Sequence, residues 1–229
     1  MLAWLEDDDP FPPVERALKH PNGLLAAGAD LSVGRLLEAY RRGVFPWFSA
    51  GQPPLWWSPD PRMVLYCDEL KVSRSLGKSL RNKGYELRID SAFGEVLEGC
   101  AWRPEGTWLG AEMRKAYLRL HREGYAHSFE TWRDGELVGG LYGVALGRMF
   151  YGESMFSRAT DASKVALVRL VHELKAKRFP LVDCQMHTPL LESLGAREIP
   201  RARFVRALAG LVNYAEPPMK WNTTTQRTA

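Results

Sequence analysis

The sequence has little of what a metal finger, a disulfide framework or a membrane span requires. Its 229 residues include only 3 cysteines, which show neither CxxC spacing nor a neighbouring His/Cys cluster, so a zinc finger or a disulfide-stapled fold is not expected. No uninterrupted apolar run approaches the roughly 20 residues that span a bilayer. The acidic run after Trp4 is unlike the basic-then-apolar start of a signal peptide. We therefore expect a cytoplasmic protein without a metal site, in a compartment that keeps thiols reduced.

The composition is otherwise that of an ordinary globular chain. Hydrophobic residues make up 45% and charged residues 25%, so a proper core can form without a metal or a disulfide. The net charge of +4 is mildly basic and by itself is weak evidence for a polyanionic partner. Tryptophan is plentiful, with 8 residues, and several of them stand in polar or proline-rich contexts that do not suggest a core position. These are Trp47, Trp56, Trp57 and Trp108.

The first sixty residues are rich in proline and glycine and contain one good helix candidate. Asp30 or Ser32 can cap this helix, and Gly43 ends it. The prolines between residues 45 and 61 exclude a regular helix or a central strand there and predict a rigid aromatic loop. We place a boundary near residue 61, which divides the chain into a small N-terminal domain (1–61) and a larger domain (62–229).

The larger domain shows an ordered succession of helical and extended patterns. The predicted helices cover 73–82, 91–100 and 111–122, and the predicted strands cover 127–133, 136–146, 149–154 and 180–184. Thr160 or Asp161 can cap a long helix before the last strand, and a further helix follows Thr188-Pro189. This order predicts an α/β or α+β fold with a mixed sheet and resembles the GNAT acyltransferase fold. The polar tail over 216–229 is expected to be loosely ordered.

Two short segments contain candidate active-site carboxylates. Glu153 stands at the end of the third meander strand and can pair with a cationic substrate group, or it is a solvated strand-end residue beside core side chains. Asp183 and Gln185 share one strand face and together can hold an amine and accept its proton, or Asp183 caps the next helix. A Cys184–His187 nucleophile is disfavoured, because Cys184 should point to the opposite face and no oxyanion device is visible nearby.

Basic and aromatic residues form a second kind of candidate site. The helix over 73–82 carries a basic face, which is either a phosphate-contacting surface or an ordinary solvated face. The residues of this face and the one that follows it are Arg74, Lys78, Arg81 and Lys83. Trp47 and Trp108 are candidate stacking platforms for an unpaired base, which is how proteins recognise single-stranded nucleic acid.

Six segments, in register from about residue 20 to 204, together resemble the bacterial leucyl/phenylalanyl-tRNA–protein transferase family. They are PNGLLAAG (21–28), RRGVFPWF (41–48), LWWSPDPR (55–62), GTW (106–108), GESMFS (152–157) and DCQ (183–185). The resemblance implies a small N-terminal domain packed on a GNAT-like acyltransferase domain. It also implies transfer of Leu or Phe, and Met less well, from aminoacyl-tRNA to the N-terminal Arg or Lys of a protein. This creates an N-degron for proteolysis and uses neither metal nor coenzyme.

The resemblance also implies roles for the candidate residues. Asp183 would polarise Gln185, whose carbonyl would draw the acceptor amine forward and take its proton, and Glu153 would help to hold the basic N-terminal residue. Trp47 and Trp108 would sandwich the 3′-terminal adenine, and the basic helix would follow the acceptor stem. An apolar pocket would take the amino-acid side chain. Its expected walls are Met155, Leu141, Phe150, Leu167, Leu170, Leu174 and Val182.

Two other functions are compatible with part of the sequence. A CoA-dependent N-acetyltransferase of the same fold needs a glycine-rich pyrophosphate loop at a helix N-terminus, and residues 157–161 read SRATD instead. A non-enzymatic RNA-binding module would explain the basic helix and the tryptophan loops but would leave Asp183, Gln185 and Glu153 without a task. We expect a monomer.

Overall fold

The computed structural model describes residues 2–102, 106–213, 221 and 226–227, which form two sheets and the helices that cover them. The strands are β1 (Ala3–Leu5), β2 (Leu24–Gly28), β3 (Phe45–Pro46), β4 (Leu55–Trp57), β5 (Arg62–Tyr66), β6 (Glu86–Ile89), β7 (Ala126–Arg133), β8 (Glu136–Leu146), β9 (Met149–Ser157), β10 (Leu181–Gln185), β11 (Arg197–Ile199) and β12 (Gln226–Arg227). The helices are α1 (Val33–Arg41), α2 (Arg74–Asn82), α3 (Phe93–Ala101), α4 (Ala111–Arg122), α5 (Ala162–Ala176), α6 (Pro189–Ser193) and α7 (Arg201–Leu211), with short 3-10 helices at Val14–Arg16 and Cys67–Glu69.

The first sheet lies in the proline-rich N-terminal part and corrects one prediction. Its strand order is β1-β2-β4-β3, so β4 is an interior strand where a loop without a central strand was predicted. The strand forms because Leu55–Trp57 contains no proline, although prolines stand on both sides of it. Pro46 lies in β3 at the edge of the sheet, where its missing N–H is tolerated.

The second sheet contains the predicted meander and confirms the mixed α/β class. Its order is β11-β5-β10-β9-β8-β7-β6-β12, and β10 pairs parallel to β9 but antiparallel to β5. The three antiparallel strands, the helix α5 and the parallel strand β10 follow one another as the GNAT-like order predicts. The third strand runs three residues further than predicted, to Ser157.

The predicted helices are present, and the structure confirms one of the two caps proposed for α1 but not the Asp161 cap of α5. Ser32, not Asp30, caps α1, because its Oγ accepts the Arg35 N–H at 3.2 Å. Asp161 occupies the N-cap position of α5 without capping it. Its carboxylate instead accepts hydrogen bonds from Ser79 of α2 (2.7 Å) and Lys164 (2.8 Å), so it joins α2 to α5.

Several elements had no sequence prediction. They are β1, β2, β5, β6, β11, β12 and α7. Most of the predicted loose tail, 216–229, lies outside the described residues, but Trp221 is buried and stacks on His127 with ring centroids 4.4 Å apart. Trp221 therefore departs from the expectation of loose order.

The core joins the two parts of the chain. One buried cluster includes Leu36 and Trp56 from the first part together with Val64, Leu97 and Tyr117 from the second. The division at residue 61 stays a prediction, although every strand of the larger sheet begins after that residue. Among the described residues, no helix has both the length and the apolar character needed to cross a bilayer.

Candidate active site

A cavity of about 570 Å³ opens where β8, β9 and β10 face α5 and α6. Its wall is mainly apolar, and a few polar groups stand at one side. The lining residues are Trp47, Trp108, Leu141, Tyr142, Gly152, Glu153, Ser154, Met155, Leu167, Leu170, Val182, Cys184, Gln185, Met186, Thr188, Leu190 and Leu191. A volume of this size suits a small-molecule group rather than a flat macromolecular contact.

Most of the predicted pocket walls lie on this cavity. Met155, Leu141, Leu167, Leu170 and Val182 line it. Phe150 and Leu174 do not, which corrects two predictions. Phe150 is fully buried behind the cavity, where it packs against Phe129 and Trp221, and Leu174 lies one helical turn beyond Leu170 in the same core cluster. Sequence reasoning missed Leu190 and Leu191, because the short helix α6 gives no clear apolar stripe.

Trp47 and Trp108 come from distant loops and line the same cavity. The Trp47 carbonyl accepts a hydrogen bond from the Trp57 indole at 2.6 Å, and the two rings meet edge to face at 5.4 Å. Two tryptophan side chains on one cavity wall provide aromatic surface on which a ligand ring can stack.

Glu153 is buried at the polar side of the cavity, so the solvated strand-end interpretation is wrong. Its side chain is 8% exposed and accepts hydrogen bonds from Tyr40 (2.8 Å), Tyr117 (2.6 Å) and the Gln185 amide (3.1 Å). Burial raises the pKa of this carboxyl to about 7, although the phenol hydrogen bonds oppose the shift. Tyr40 and Tyr117 were not predicted as site residues.

Asp183 lies behind the cavity in a buried ion pair. Its oxygens accept from Arg62 Nε at 2.8 Å and Nη2 at 2.6 Å, and both side chains are 0% exposed. Arg62 also donates to the Gly43 carbonyl and lies 4.7 Å from the centre of the Phe204 ring. The helix-cap alternative for Asp183 is wrong, because Thr188 caps α6 through Leu191 N–H at 3.2 Å.

Gln185 owes its direction to a break in the β10 ladder. The register shifts between Asp183 and Gln185, and Gln185 has φ +62°, a left-handed conformation that costs energy in a residue with a side chain. The Asp183 carboxylate accepts the main-chain N–H of Gln185 at 2.9 Å, which holds this conformation. Asp183 therefore contacts the Gln185 main chain, whereas the Gln185 side-chain amide reaches Glu153.

Cys184 lines the cavity but is not arranged as a nucleophile. Burial raises the pKa of its thiol well above the usual range, so the thiolate is not formed at neutral pH. His187 pairs with Glu192 at 3.1 Å on the surface.

The four predicted basic residues lie exposed on and just after α2. This helix packs on α5 through Leu76 and Ser79. Within the described part of the chain, no salt bridge engages any of the four cations, which are Arg74, Lys78, Arg81 and Lys83. The basic face is thus open to an anionic partner.

The cavity therefore combines a mainly apolar wall with two tryptophans and a buried, hydrogen-bonded carboxylate on a mixed α/β fold, which is the usual composition of an enzyme's ligand site. Models of the leucyl/phenylalanyl-tRNA protein transferase and of its N-terminal domain match residues 64–209 and 29–60. The leucyl/phenylalanyl-tRNA–protein transferase of Chromobacterium violaceum is 60% identical over 226 residues and covers 97% of each chain. That of Thiobacillus denitrificans is 64% identical over 214 residues, or 92% of this chain and 94% of its own. The chain therefore belongs to the leucyl/phenylalanyl-tRNA protein transferase family and is an aminoacyltransferase.

Solved structures show weaker similarity. A GCN5-related N-acetyltransferase from Kribbella flavida is 10% identical with a TM-score of 0.35, covering 72% of this chain and 60% of its own. The family match decides against both alternative functions, the CoA-dependent acetyltransferase and the non-enzymatic RNA-binding module.

Proposed function

We propose that this protein transfers Leu or Phe, and Met less well, from aminoacyl-tRNA to the N-terminal Arg or Lys of a protein. The product carries an N-degron for proteolysis. The protein acts as a cytoplasmic monomer without a cofactor. The observation that carries the proposal is one cavity that combines apolar walls, Trp47 and Trp108, and the Glu153–Gln185 pair.

The donor occupies the apolar part of the cavity. Its amino-acid side chain lies among Leu141, Met155 and Leu167, and its terminal adenine stacks between Trp47 and Trp108. An apolar pocket separates ligands that differ by one methylene by only about 1–3 kcal/mol, which suits a donor range of several large side chains. The exposed cations of α2 contact the acceptor-stem phosphates, which gives affinity without sequence readout.

The acceptor approaches from the polar side. Glu153 and Gln185 hold its N-terminal residue there so that the α-amine faces the ester carbonyl carbon. The aminoacyl ester is already activated, so the reaction needs near-attack geometry and proton acceptance rather than a protein nucleophile. Asp183 contributes by fixing the backbone of Gln185, as their 2.9 Å hydrogen bond supports.

Transfer of radiolabelled Leu from Leu-tRNA to peptides that begin with Arg or with Ala tests the proposal. Label on the Arg peptide alone, in buffer without CoA, is the expected result. Absence of label on both peptides despite saturable tRNA binding would overturn it.

A pair of tryptophan variants tests the donor half separately. Trp108→Ala should weaken inhibition by a leucyl-adenosine analogue about 5- to 150-fold, because stacking contributes about 1–3 kcal/mol per base. Trp102→Ala is the matched control, because Trp102 is 76% exposed and does not line the cavity. Equal inhibition of the two variants would remove Trp108 from the adenine site.

A further inference from the structure

Two buried carboxylates stand beside the acceptor position, and they differ in the charge of their partners. Asp183 is held by the guanidinium of Arg62. Glu153 is held by three neutral donors, from Tyr40, Tyr117 and Gln185. No salt bridge to Glu153 occurs within the part of the chain that the structure describes. This difference in partners determines which of the two can take a proton during the reaction.

Asp183 has no place for a proton. One oxygen accepts from Arg62 Nε and from the Gln185 main chain, and the other accepts from Arg62 Nη2. Protonation of Asp183 would leave a fully buried guanidinium without its counter-charge, which is a costly arrangement. It would also weaken the hydrogen bond that holds the left-handed conformation of Gln185. Asp183 therefore acts as a fixed negative charge.

Glu153 has the opposite properties. It lines the cavity, whereas Asp183 does not, and its neutral partners remain satisfied or reorient when it gains a proton. The carboxyl pKa of about 7 lies close to that of a peptide α-amine, about 7.7–8.0, so a proton can pass between the two groups with little cost. Burial raises the pKa values of Tyr40 and Tyr117 well above the ordinary phenol range, so these hydroxyls stay protonated and donate to the carboxylate.

Resting on the proposed function, we propose that Glu153 is the general base that deprotonates the α-ammonium of the acceptor, with Tyr40 and Tyr117 as its positioning residues. One N–H proton moves to a carboxylate oxygen of Glu153, and the freed lone pair forms the C–N bond at the ester carbonyl. The C–O bond to the tRNA 3′-oxygen breaks, and that oxygen takes a second proton from the amine. The proton on Glu153 then leaves to water. Gln185 aligns the amine, and its amide N–H steadies the carboxylate.

The test is the pH dependence of kcat/KM between pH 5.5 and 8.5, with two Arg acceptors whose α-amine pKa values differ. In the unaltered protein the acid limb should break near pH 7 with both acceptors, because the enzyme sets it. In Glu153→Gln the rate should fall at pH 6.5, and the limb should follow the pKa of whichever acceptor is used. An acid limb that stays near pH 7 in Glu153→Gln, with only KM for the Arg acceptor raised, would overturn the proposal and leave Glu153 as a charge contact.

Tyr117→Phe provides a second measurement if Glu153→Gln folds poorly. The Tyr117 hydrogen bond lowers the pKa of Glu153, so its loss should move the acid limb to higher pH while transfer persists. An unmoved limb would contradict the assignment. Absence of transfer by the unaltered protein would refute the proposed function. Normal transfer by the unaltered protein, with an acid limb that does not move in either variant, would refute only the assignment of Glu153 as the general base.

Discussion

The buried Arg62–Asp183 pair allows the sharpest stability prediction. Both side chains are 0% exposed, and two hydrogen bonds of 2.8 and 2.6 Å join them. Coulomb's law gives about 4 kcal/mol for charges about 4 Å apart at an effective dielectric constant of 20. Removal of one partner from a buried pair typically costs about 3–5 kcal/mol, because the other charge remains buried and unpaired. We expect Asp183→Asn to lower the free energy of unfolding by that amount.

Replacement of both charges should behave differently. Arg62→Met with Asp183→Asn removes the pair and leaves no buried charge behind. The double variant should therefore be more stable than the sum of the two single losses predicts, by about 2 kcal/mol or more. Urea unfolding at pH 7 of the unaltered protein, the two single variants and the double variant gives this coupling energy. The dependence of the unfolding free energy on urea concentration should be equal in all four, which excludes a change of the unfolded state.

Strict additivity of the two substitutions would refute the reasoning. It would mean that water reaches the pair and that the charges contribute no more than an exposed salt bridge, about 0–1 kcal/mol. Arg62→Met also removes the donor to the Gly43 carbonyl, but this loss is common to the single and the double variant and therefore cancels in the coupling energy.

The remaining predictions concern tRNA binding and the pH dependence of stability. Arg74→Ala with Lys78→Ala should reduce the slope of log affinity for tRNA against log salt by about 1.5, whereas Arg206→Ala, a loss of exposed charge on α7, should leave it unchanged. Equal slopes in the unaltered protein and in both variants would show that α2 does not contact the tRNA. Glu153 stabilises the fold most below pH 4.5, and this contribution is lost as pH rises through about 7, because its folded pKa is raised. The free energy of unfolding of Glu153→Gln, measured relative to that of the unaltered protein, should therefore rise by about 3 kcal/mol between pH 4.5 and pH 8. Urea unfolding of both proteins at the two pH values measures this change. A stability difference that does not vary with pH would contradict the prediction.

Local patterns predicted the larger sheet better than the smaller one. Alternation and the Asp134-Gly135 turn defined the meander, because strand pairing there is between chain neighbours. The small sheet escaped prediction, since its strands are only two to five residues long and the prolines in and around β3 and β4 give the local signal of a loop. Strand Leu55–Trp57 contains no proline and can pair, but its partners β2 and β3 come from other parts of the chain and are not visible in its own sequence.

The candidate site was predictable only where its chemistry is visible in one segment. Asp183 and Glu153 stand out as acids within apolar strands, which demand a partner. Their partners did not stand out, because Arg62 is 121 residues from Asp183 and Tyr40 is 113 residues from Glu153. A usable signal existed for Arg62 alone: a lone arginine opens the apolar run of β5, and a buried arginine needs an acid.

The N-terminal part contributes more to the site than the predicted Trp47 alone. Tyr40 on α1 binds Glu153, Trp47 lines the cavity, and the Gly43 carbonyl accepts from Arg62. The larger sheet carries Asp183, Gln185 and Glu153, but it supplies neither of these aromatic side chains. Without residues 1–61, Glu153 would keep its hydrogen bonds from Tyr117 and Gln185 but lose that from Tyr40, and the cavity would lose Trp47. The first 61 residues therefore contribute side chains to the cavity and to the hydrogen bonds around Glu153, and the core that joins α1 to α4 brings Tyr40 and Tyr117 together at that carboxylate.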